Sequence, residues 1–301
     1  MWHSPPGRGA RVGLDGRVAV VTGAGRGLGR AHALELAGHG CRVVVNDTGA
    51  AIDGTGADAG LAEAVAAEIR DAGGEAVASR DDVATWEGGR RVVATAVDTW
   101  GDLHVLVNNA GILRDRLLVN MSEDDWDAVV SVHLKGHFVP LRHAAAHWRE
   151  RHHAGDAVSA SVINTSSTSG LAGNPGQANY GTAKAGIAAL TVIAAQELGR
   201  YGVRVNAIAP AARTRLTESA PGLGEIVAAP DGARFDEWDP ANVAPVVAWL
   251  ADPATAVTGR VFYAFGGVVQ PMRGWSREPG VEQAGRWRSG ELAERLPPLL
   301  G

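Results

Sequence analysis

The amino-acid sequence predicts an α/β protein in which helices cover both faces of a doubly wound parallel sheet. Short apolar runs of strand length alternate along the chain with longer segments of helical spacing, and this alternation is the pattern of βαβ units. The short runs, such as VAVVTG and CRVVVND, are almost continuously apolar, as expected of strands that are buried on both faces. No internal repeat or linker divides the sequence, so we predict a single domain.

The individual elements follow from these runs in chain order. Seven strands are predicted from short apolar runs, at residues 17–23, 41–47, 75–79, 103–109, 160–166, 203–210 and 260–267. Five helices are predicted from longer segments with few glycines or prolines, at residues 28–39, 61–72, 85–100, 123–151 and 180–200. The domain is therefore predicted to span residues 14–267, between an N-terminal extension (1–13) and a C-terminal extension (268–301).

Composition and charge limit the class of protein. The chain of 301 residues is 46% hydrophobic and 20% charged, as is usual for soluble globular domains. Its formal net charge of -5 argues against nucleic acid as a partner, since phosphate-binding surfaces are normally basic. No run approaches the roughly 18 apolar residues of a membrane span, and Cys41 has no second cysteine with which to form a disulfide bond. We therefore expect a cytoplasmic protein without a membrane partner.

Glycines alternate with other residues in VTGAGRGLGR, between the first predicted strand and the first predicted helix. Gly23, Gly25, Gly27 and Gly29 permit a tight turn and a close approach of the backbone to a ligand. The N–H groups at the start of the helix can then bind a pyrophosphate. The motif predicts a dinucleotide site, and a purely structural glycine turn is the alternative.

An acidic residue, Asp47, ends the second predicted strand. A carboxylate at this point can accept hydrogen bonds from the adenine-ribose hydroxyls. It would also repel a 2′-phosphate, because two unit charges about 4 Å apart interact by roughly 4 kcal/mol at an effective dielectric constant of 20. NAD is therefore favoured over NADP, although Arg26 and Arg80 could reach a phosphate. The alternative is that Asp47 only opens the long loop of residues 48–60.

A tyrosine and a lysine in YGTAK provide the candidate catalytic groups. Tyr180 and Lys184 are four residues apart, so they share one face of a predicted helix. A neighbouring ammonium lowers the pKa of a phenol, whose ordinary value near 10 is too high for acid/base work at neutral pH. Ser167 follows a predicted strand and precedes Tyr180 by thirteen residues of glycine-rich sequence, so its hydroxyl could meet the same substrate oxygen. Together the three side chains predict an acid/base site.

Residues 14–267 resemble the classical short-chain dehydrogenase/reductase family. The resemblance lies in four features: TGAGRGLG, NNAG at residues 108–111, YGTAK and the serine upstream of it. The resemblance implies a Rossmann fold with a seven-stranded parallel sheet, and hydride transfer between a nicotinamide and a hydroxyl or carbonyl carbon. It assigns Tyr180 as the general acid/base, Lys184 as the residue that lowers its pKa and holds the nicotinamide ribose, and Ser167 as the group that fixes the substrate oxygen. It implies cofactor contacts for Gly23, Arg26, Gly27, Leu28, Gly29, Asp47, Asp82, Val83, Asn109, Ala110, Gly111, Tyr180, Lys184, Pro210 and Thr214.

His133 stands where the family usually has an asparagine, whose backbone carbonyl holds a water of the proton relay. Any residue offers a carbonyl, and a histidine can also shuttle protons itself or be structural. Four segments are similar to the (3R)-hydroxyacyl-CoA dehydrogenase domains of type 2 multifunctional enzymes, also called 17β-hydroxysteroid dehydrogenase type 4: VVVNDTG, NNAGILRDR, VHLKGHF and GNPGQANY. Those domains have a histidine at the position of His133. The similarity implies a 3-hydroxyacyl or 3-oxoacyl thioester as substrate, with a hydroxysteroid or another ketone as the alternative.

Two other classes of function remain as alternatives. A non-catalytic dinucleotide-binding protein would need the glycine turn and Asp47, but not Ser167, Tyr180 and Lys184 together. An epimerase or dehydratase of the extended family also uses a tyrosine and a lysine, but the TGxxxGxG spacing is typical of the classical type. The family implies a homodimer or homotetramer. No bound metal is predicted, because the histidines at positions 143, 147, 152 and 153 complete no known zinc pattern.

Overall fold

The structure, a computed structural model, describes residues 12–58, 60–218, 226–230, 235–274 and 276–300. Most of the predicted N-terminal extension lies outside these residues. The strands of the described residues are β1 (Val18–Thr22), β2 (Arg42–Asn46), β3 (Glu75–Ser79), β4 (Val105–Asn108), β5 (Ala160–Thr165), β6 (Val203–Pro210), β7 (Val261–Phe265) and β8 (Val268–Met272). They form one sheet in the order β3-β2-β1-β4-β5-β6-β7-β8.

The α-helices of the described residues lie mainly between consecutive strands. They are α1 (Gly27–Gly38), α2 (Gly60–Asp71), α3 (Trp86–Trp100), α4 (Glu123–Val130), α5 (Gly136–His153), α6 (Thr168–Ala172), α7 (Ala178–Leu198), α8 (Arg215–Glu218), α9 (Ala244–Ala251), α10 (Ser289–Arg295) and α11 (Pro297–Leu300). Short 3₁₀ turns cover Leu118–Asn120, Gly199–Tyr201 and Pro240–Asn242. None of the helices in the described ranges is both long and apolar enough to cross a membrane.

Helices cover both faces of the sheet, as predicted. Strands β1 to β7 pair in parallel, and every residue of the central strands β1, β4 and β5 is buried. Ala19 and Val21 face a core formed with α1, α2 and α9, whereas Val18 and Val20 face a second core formed with α3, α5 and α7. The continuous apolar runs in the sequence are therefore explained by burial on two sides.

The sheet has one strand more than the seven predicted. Strand β8 pairs antiparallel to β7 after a tight reversal at Gly266, whose φ is +50°. Most of its residues are exposed, and Pro271 has no N–H to donate to a further strand, as suits an edge. The sheet thus continues to Met272, past the predicted end of the domain at residue 267, and that boundary stays a prediction.

The single helix predicted over residues 123–151 is divided into α4 and α5 by a π-helical turn, Ser131–Lys135. Ser122 caps α4, since its hydroxyl accepts a hydrogen bond from the Asp125 backbone N–H and the Asp125 carboxylate accepts one from the Ser122 N–H. A π turn inserts one extra residue and often occurs at functional sites. Here it directs His133 into the interior, where the side chain is 1% exposed.

Candidate active site

A cleft of about 340 Å³ lies at the carboxyl ends of the strands, where β1 neighbours β2 on one side and β4 on the other. This is the point at which the strand order reverses, and open α/β sheets bind ligands at such a crevice. The cleft is within the range of small-molecule sites. Of the predicted cofactor residues it is lined by Gly23, Arg26, Gly27, Leu28, Gly29, Asp47, Asp82, Val83, Asn109, Ala110, Gly111 and Thr214, but not by Tyr180, Lys184 or Pro210.

The glycine turn closes the cleft beneath helix α1. A Cβ on Gly29 would lie 2.1 Å from the Gly23 carbonyl oxygen, so no larger residue fits there. Asn109 holds the same turn, because its Nδ2 donates to the Thr22 oxygen at 3.0 Å and to the Gly23 oxygen at 3.1 Å. The Arg26 side chain, at the N-cap position of α1, makes no capping hydrogen bond. Arg26 therefore leaves the N–H groups of the first turn to a pyrophosphate, and this cradle fits a dinucleotide.

Asp47 lies in the cleft, but its carboxylate also holds the surrounding backbone. Oδ2 accepts a hydrogen bond from the Gly25 N–H at 2.8 Å, and Oδ1 accepts one from the Gly49 N–H at 2.7 Å. A Cβ on Gly25 would lie 2.9 Å from Oδ2, which explains why this position also needs glycine. Each carboxylate oxygen has a further lone pair. Asp47 can therefore accept hydrogen bonds from ribose hydroxyls while it keeps both backbone contacts.

Besides Asp47, four charged residues line the cleft: Arg26, Asp81, Asp82 and Arg215. Arg26 Nη2 donates to the Ala50 oxygen at 3.2 Å, so this guanidinium is partly engaged by the protein. Arg215, which was not predicted from the sequence, also lines the cleft. Burial and the neighbouring Arg26 lower the pKa of Arg215, and the Asp47 carboxylate partly offsets this decrease. The one sequence signal for Arg215 was its position next to Thr214. Asp81, also missed, lines the cleft beside Asp82, whereas Arg80 is exposed and is not among the lining residues.

The three predicted catalytic side chains converge beside this cleft. Tyr180 and Lys184 lie on α7, and the Lys184 Nζ is 5.5 Å from the centre of the Tyr180 ring. Ser167 caps α6 directly after β5, and its hydroxyl faces the Tyr180 phenol. Asn179, which the sequence analysis missed, fixes the start of α7 by donating to the carbonyls of Arg114 and Asp125, both at 3.0 Å. The arrangement places one hydroxyl and one phenol where a single substrate oxygen can contact both.

Burial shifts both Tyr180 and Lys184 toward their neutral forms. It raises the pKa of Tyr180 above its ordinary value of 10, and the Ser167 hydroxyl opposes this increase. It lowers the pKa of Lys184 to about 7, while Nζ donates to the Thr165 oxygen at 2.6 Å. The direction at Tyr180 is opposite to that expected from a neighbouring ammonium, because burial is the largest influence on the pKa of this phenol.

His133 lies directly beside Tyr180. The two rings meet edge to face at 5.1 Å, and His133 Nε2 lies 2.7 Å from the Ile112 oxygen. A Cβ on Gly111 would lie 2.4 Å from the His133 ring, so this close approach requires glycine. Burial, and then the charge of Lys184, hold the pKa of His133 well below its ordinary value. The imidazole is therefore neutral at neutral pH, and its Nδ1 has no partner among the described residues.

A second buried histidine, His137, was missed because nothing in the sequence distinguishes it from a core residue. Its Nε2 accepts a hydrogen bond from the Thr165 N–H at 3.3 Å. The Thr165 carbonyl accepts a hydrogen bond from Lys184 Nζ. His137 therefore binds the N–H of Thr165, and Lys184 binds the carbonyl of the same residue. His137 is fully buried, and burial followed by the Lys184 charge lowers its pKa well below the ordinary value. It supports the Thr165 backbone, to which Lys184 is bound.

The sequence and structure match known proteins over most of the chain. The family model for short chain dehydrogenases matches residues 17–221. A hydroxyacyl-CoA dehydrogenase of Mycobacterium tuberculosis, ChsB1, is 49% identical over 260 residues, which cover 84% of this chain and 78% of the relative. Peroxisomal multifunctional enzyme type 2 of the mouse is 42% identical over 89% of this chain, but only 34% of that longer protein is matched. A solved short chain dehydrogenase from Mycobacterium avium superposes with a TM-score of 0.85, is 52% identical, and is matched over 95% of both chains.

Proposed function

Because the chain belongs to the short-chain dehydrogenase family, we propose that it is an NAD-dependent oxidoreductase acting on a 3-hydroxyacyl or 3-oxoacyl thioester. The observation that carries this proposal is the convergence of Ser167 and Tyr180, above Lys184, beside a cleft built for a dinucleotide. A protein that only bound the dinucleotide would not need an acid/base group at that place. The geometry therefore favours an enzyme over a sensor.

Each side chain has a distinct task at the substrate oxygen. Ser167 donates a hydrogen bond to this oxygen and holds it against the Tyr180 phenol. Tyr180 gives its proton to the oxygen when a ketone is reduced, and it accepts the proton when an alcohol is oxidised. Lys184 Nζ, which donates to the Thr165 carbonyl, sets the charge next to the phenol and would bind the nicotinamide ribose of the cofactor. A bound nicotinamide cofactor would supply or accept the hydride.

The preference for NAD over NADP depends on the charges at the adenosine end of the cleft. Asp47 places a carboxylate where the ribose hydroxyls are expected, and Arg26 is engaged by the Ala50 carbonyl. Arg215 also lines the cleft, but it is exposed, so solvent screens its attraction for a phosphate. The Asp47 carboxylate is less exposed than Arg215 and so is less screened by solvent, which supports NAD.

The thioester substrate is supported by the relatives. The Mycobacterium tuberculosis relative is named a hydroxyacyl-CoA dehydrogenase, and this chain spans most of its length. The mouse multifunctional enzyme contributes less, because about two-thirds of it has no counterpart here. We further propose that the protein works as a homodimer or homotetramer in the cytoplasm, without a nucleic-acid or membrane partner. Light scattering of the purified protein tests the oligomeric state.

Initial rates with purified protein test the function. NADH and then NADPH are offered with 3-oxoacyl-CoA esters of several chain lengths and with a 17-ketosteroid, and Tyr180→Phe serves as the control for catalysis by this site. We expect NADH-dependent reduction of the thioesters. Reduction of the ketosteroid alone would support the alternative substrate class, whereas preference for NADPH would reject the proposed role of Asp47. Binding of NADH without turnover of any substrate would refute the assignment as an enzyme of this specificity.

A further inference from the structure

Residues 48–58, here called the strap, connect β2 to the start of α2 and have an ordered conformation of their own. The Ala51 N–H donates to the Thr55 oxygen at 2.7 Å, and both the N–H and the hydroxyl of Thr55 donate to Asp53 Oδ1, at 2.9 and 2.7 Å. Gly49 has a φ of +75°, and a Cβ there would lie 2.1 Å from the Asp58 oxygen, so the two ends of the strap lie close together. The strap is therefore a compact loop rather than an extended linker.

The end of the strap that follows β2 is bound to the dinucleotide turn. The Gly49 N–H donates to Asp47 Oδ1, and Arg26 Nη2 donates to the Ala50 oxygen. Arg26 belongs to the turn between β1 and α1. The same side chains that border the adenosine end of the cleft thus also fix the start of the strap.

The middle of the strap is bound to the segment that follows β4. The Leu113 N–H donates to the Ile52 oxygen at 2.9 Å, and Arg114 Nε donates to the Asp53 oxygen at 2.8 Å. Arg114 Nη1 also donates to the Asp124 oxygen at 3.3 Å, which connects the strap to α4. These bonds are made to main-chain carbonyls, so they depend on the path of the strap rather than on its side chains.

These attachments require the strap to cross the cleft. In the sheet, β1 lies between β2 and β4. A segment that begins after β2 and is bonded to residues following β4 must pass above the end of β1, where the dinucleotide cleft lies. Consistent with this path, four small strap residues line the cleft: Ala50, Ala51, Gly54 and Gly56. A Cβ on Gly54 would lie 3.0 Å from Ile112 Cδ1, so the strap also packs closely on the far side.

We propose that the strap covers the adenosine half of the bound dinucleotide and must lift for the cofactor to exchange, with Arg114 as its latch. The proposal rests on the proposed function, in that the ligand of the cleft is a dinucleotide. The adenosine half is the part concerned because the strap is joined to Asp47 and Arg26, at the end of the cleft where the ribose and adenine are expected. Arg114 acts from outside the cleft, so its loss weakens the closure without removing a cofactor contact.

The dissociation rate of NADH tests the latch. Protein loaded with NADH is mixed with excess NAD in a stopped-flow instrument, and the decay of NADH fluorescence is followed for wild type, Arg114→Ala and Arg116→Ala. Arg116 is the matched control, since it is exposed and, among the residues that the structure describes, its side chain donates only to the neighbouring Asp115 carbonyl. We expect dissociation from Arg114→Ala to be about fivefold faster, as for the loss of one or two hydrogen bonds, and dissociation from Arg116→Ala to be unchanged.

Amide hydrogen exchange on the wild-type protein supplies a second measurement that needs no substitution. The N–H groups of Ala51, Gly54 and Leu113 are hydrogen-bonded within or to the strap, and NADH should slow their exchange by about tenfold or more if they open together for release. Equal NADH dissociation from all three proteins, or exchange in the strap that NADH does not change, would overturn the proposal. Failure of wild type to bind NADH at all would refute the proposed function and the strap with it.

Discussion

Replacing Lys184 with methionine should stabilise the protein, although it removes a residue of the proposed acid/base group. Lys184 is 2% exposed, and burial lowers its pKa from 10.5 to about 7. The folded protein therefore binds this proton less tightly than the unfolded chain does. Stability consequently rises with pH through the interval from about 7 to 10.5, because the unfolded chain holds the extra proton there. Methionine has a similar length and no charge, so it removes this dependence.

The size of the effect follows from the two pKa values. The unfavourable contribution of Lys184 to the free energy of unfolding is about 4 kcal/mol at pH 7 and about 2 kcal/mol at pH 9. The methionine variant also lacks the charged hydrogen bond to the Thr165 carbonyl. The loss of this bond reduces the gain in the free energy of unfolding by about 2 kcal/mol. We therefore expect Lys184→Met to be about 2 kcal/mol more stable than wild type at pH 7, and the two proteins to be nearly equal at pH 9.

Urea unfolding at pH 6, 7, 8 and 9 measures this difference, at one protein concentration because association would otherwise alter the midpoints. Lys135→Met is the matched control, since Lys135 is exposed and is the other lysine of the chain. Its stability relative to wild type should change little over the same pH range. A difference between Lys184→Met and wild type that stays constant from pH 7 to pH 9 would refute the argument that burial sets the charge of Lys184.

Three further substitutions test the site and the frame that holds it. Tyr180→Phe should abolish turnover and leave NADH binding, followed by fluorescence, nearly intact; an active variant would remove Tyr180 from its role. Asp47→Ala should weaken NAD binding and narrow the preference over NADP, and an unchanged ratio of the two dissociation constants would assign the preference to another group. Asp102→Asn should lower the free energy of unfolding by about 2 kcal/mol at pH 7, measured with urea. Burial by itself would raise the pKa of Asp102, but hydrogen bonds from His147 and the Leu103 N–H lower it to about 2, so this contribution is present above about pH 4 and fades toward pH 2. An equal loss in Asp98→Asn, where the side chain is exposed, would contradict this explanation.

The seven parallel strands could be predicted because each is an apolar run bounded by turn residues. Strand β8 could not, since VVQPM contains a proline and its residues are mostly exposed. Helix α9, APVVAWLA, was also missed, because it is apolar on almost every side and shows no helical alternation. The π turn at Ser131–Lys135 leaves the local composition unchanged, so a continuous helix was the natural prediction there.

Candidate site residues could be proposed from the sequence where one segment carries the chemistry, as in the glycine turn and in YGTAK. They were missed where two distant segments must meet. Asn179 acts by joining Arg114 to Asp125, and His137 acts on the Thr165 backbone. Neither contact leaves a spacing that a single sequence can display. The pKa of Tyr180 was also beyond reach, because the degree of burial, and not the identity of its neighbour, decides the direction of the shift.

The protonation of Tyr180 also bears on the direction of the reaction. A phenol whose pKa lies above 10 is almost fully protonated between pH 6 and 9, and the protonated form is the one that donates to a carbonyl oxygen. Oxidation of an alcohol requires the phenolate, whose population rises tenfold with each pH unit in this range. The rate constant of the oxidation step should therefore increase with pH up to the raised pKa, while that of reduction stays constant. Single-turnover measurements in both directions across this pH range test the argument, and a pH-independent oxidation step would show that the bound complex lowers the pKa of Tyr180 far below its value in the protein alone.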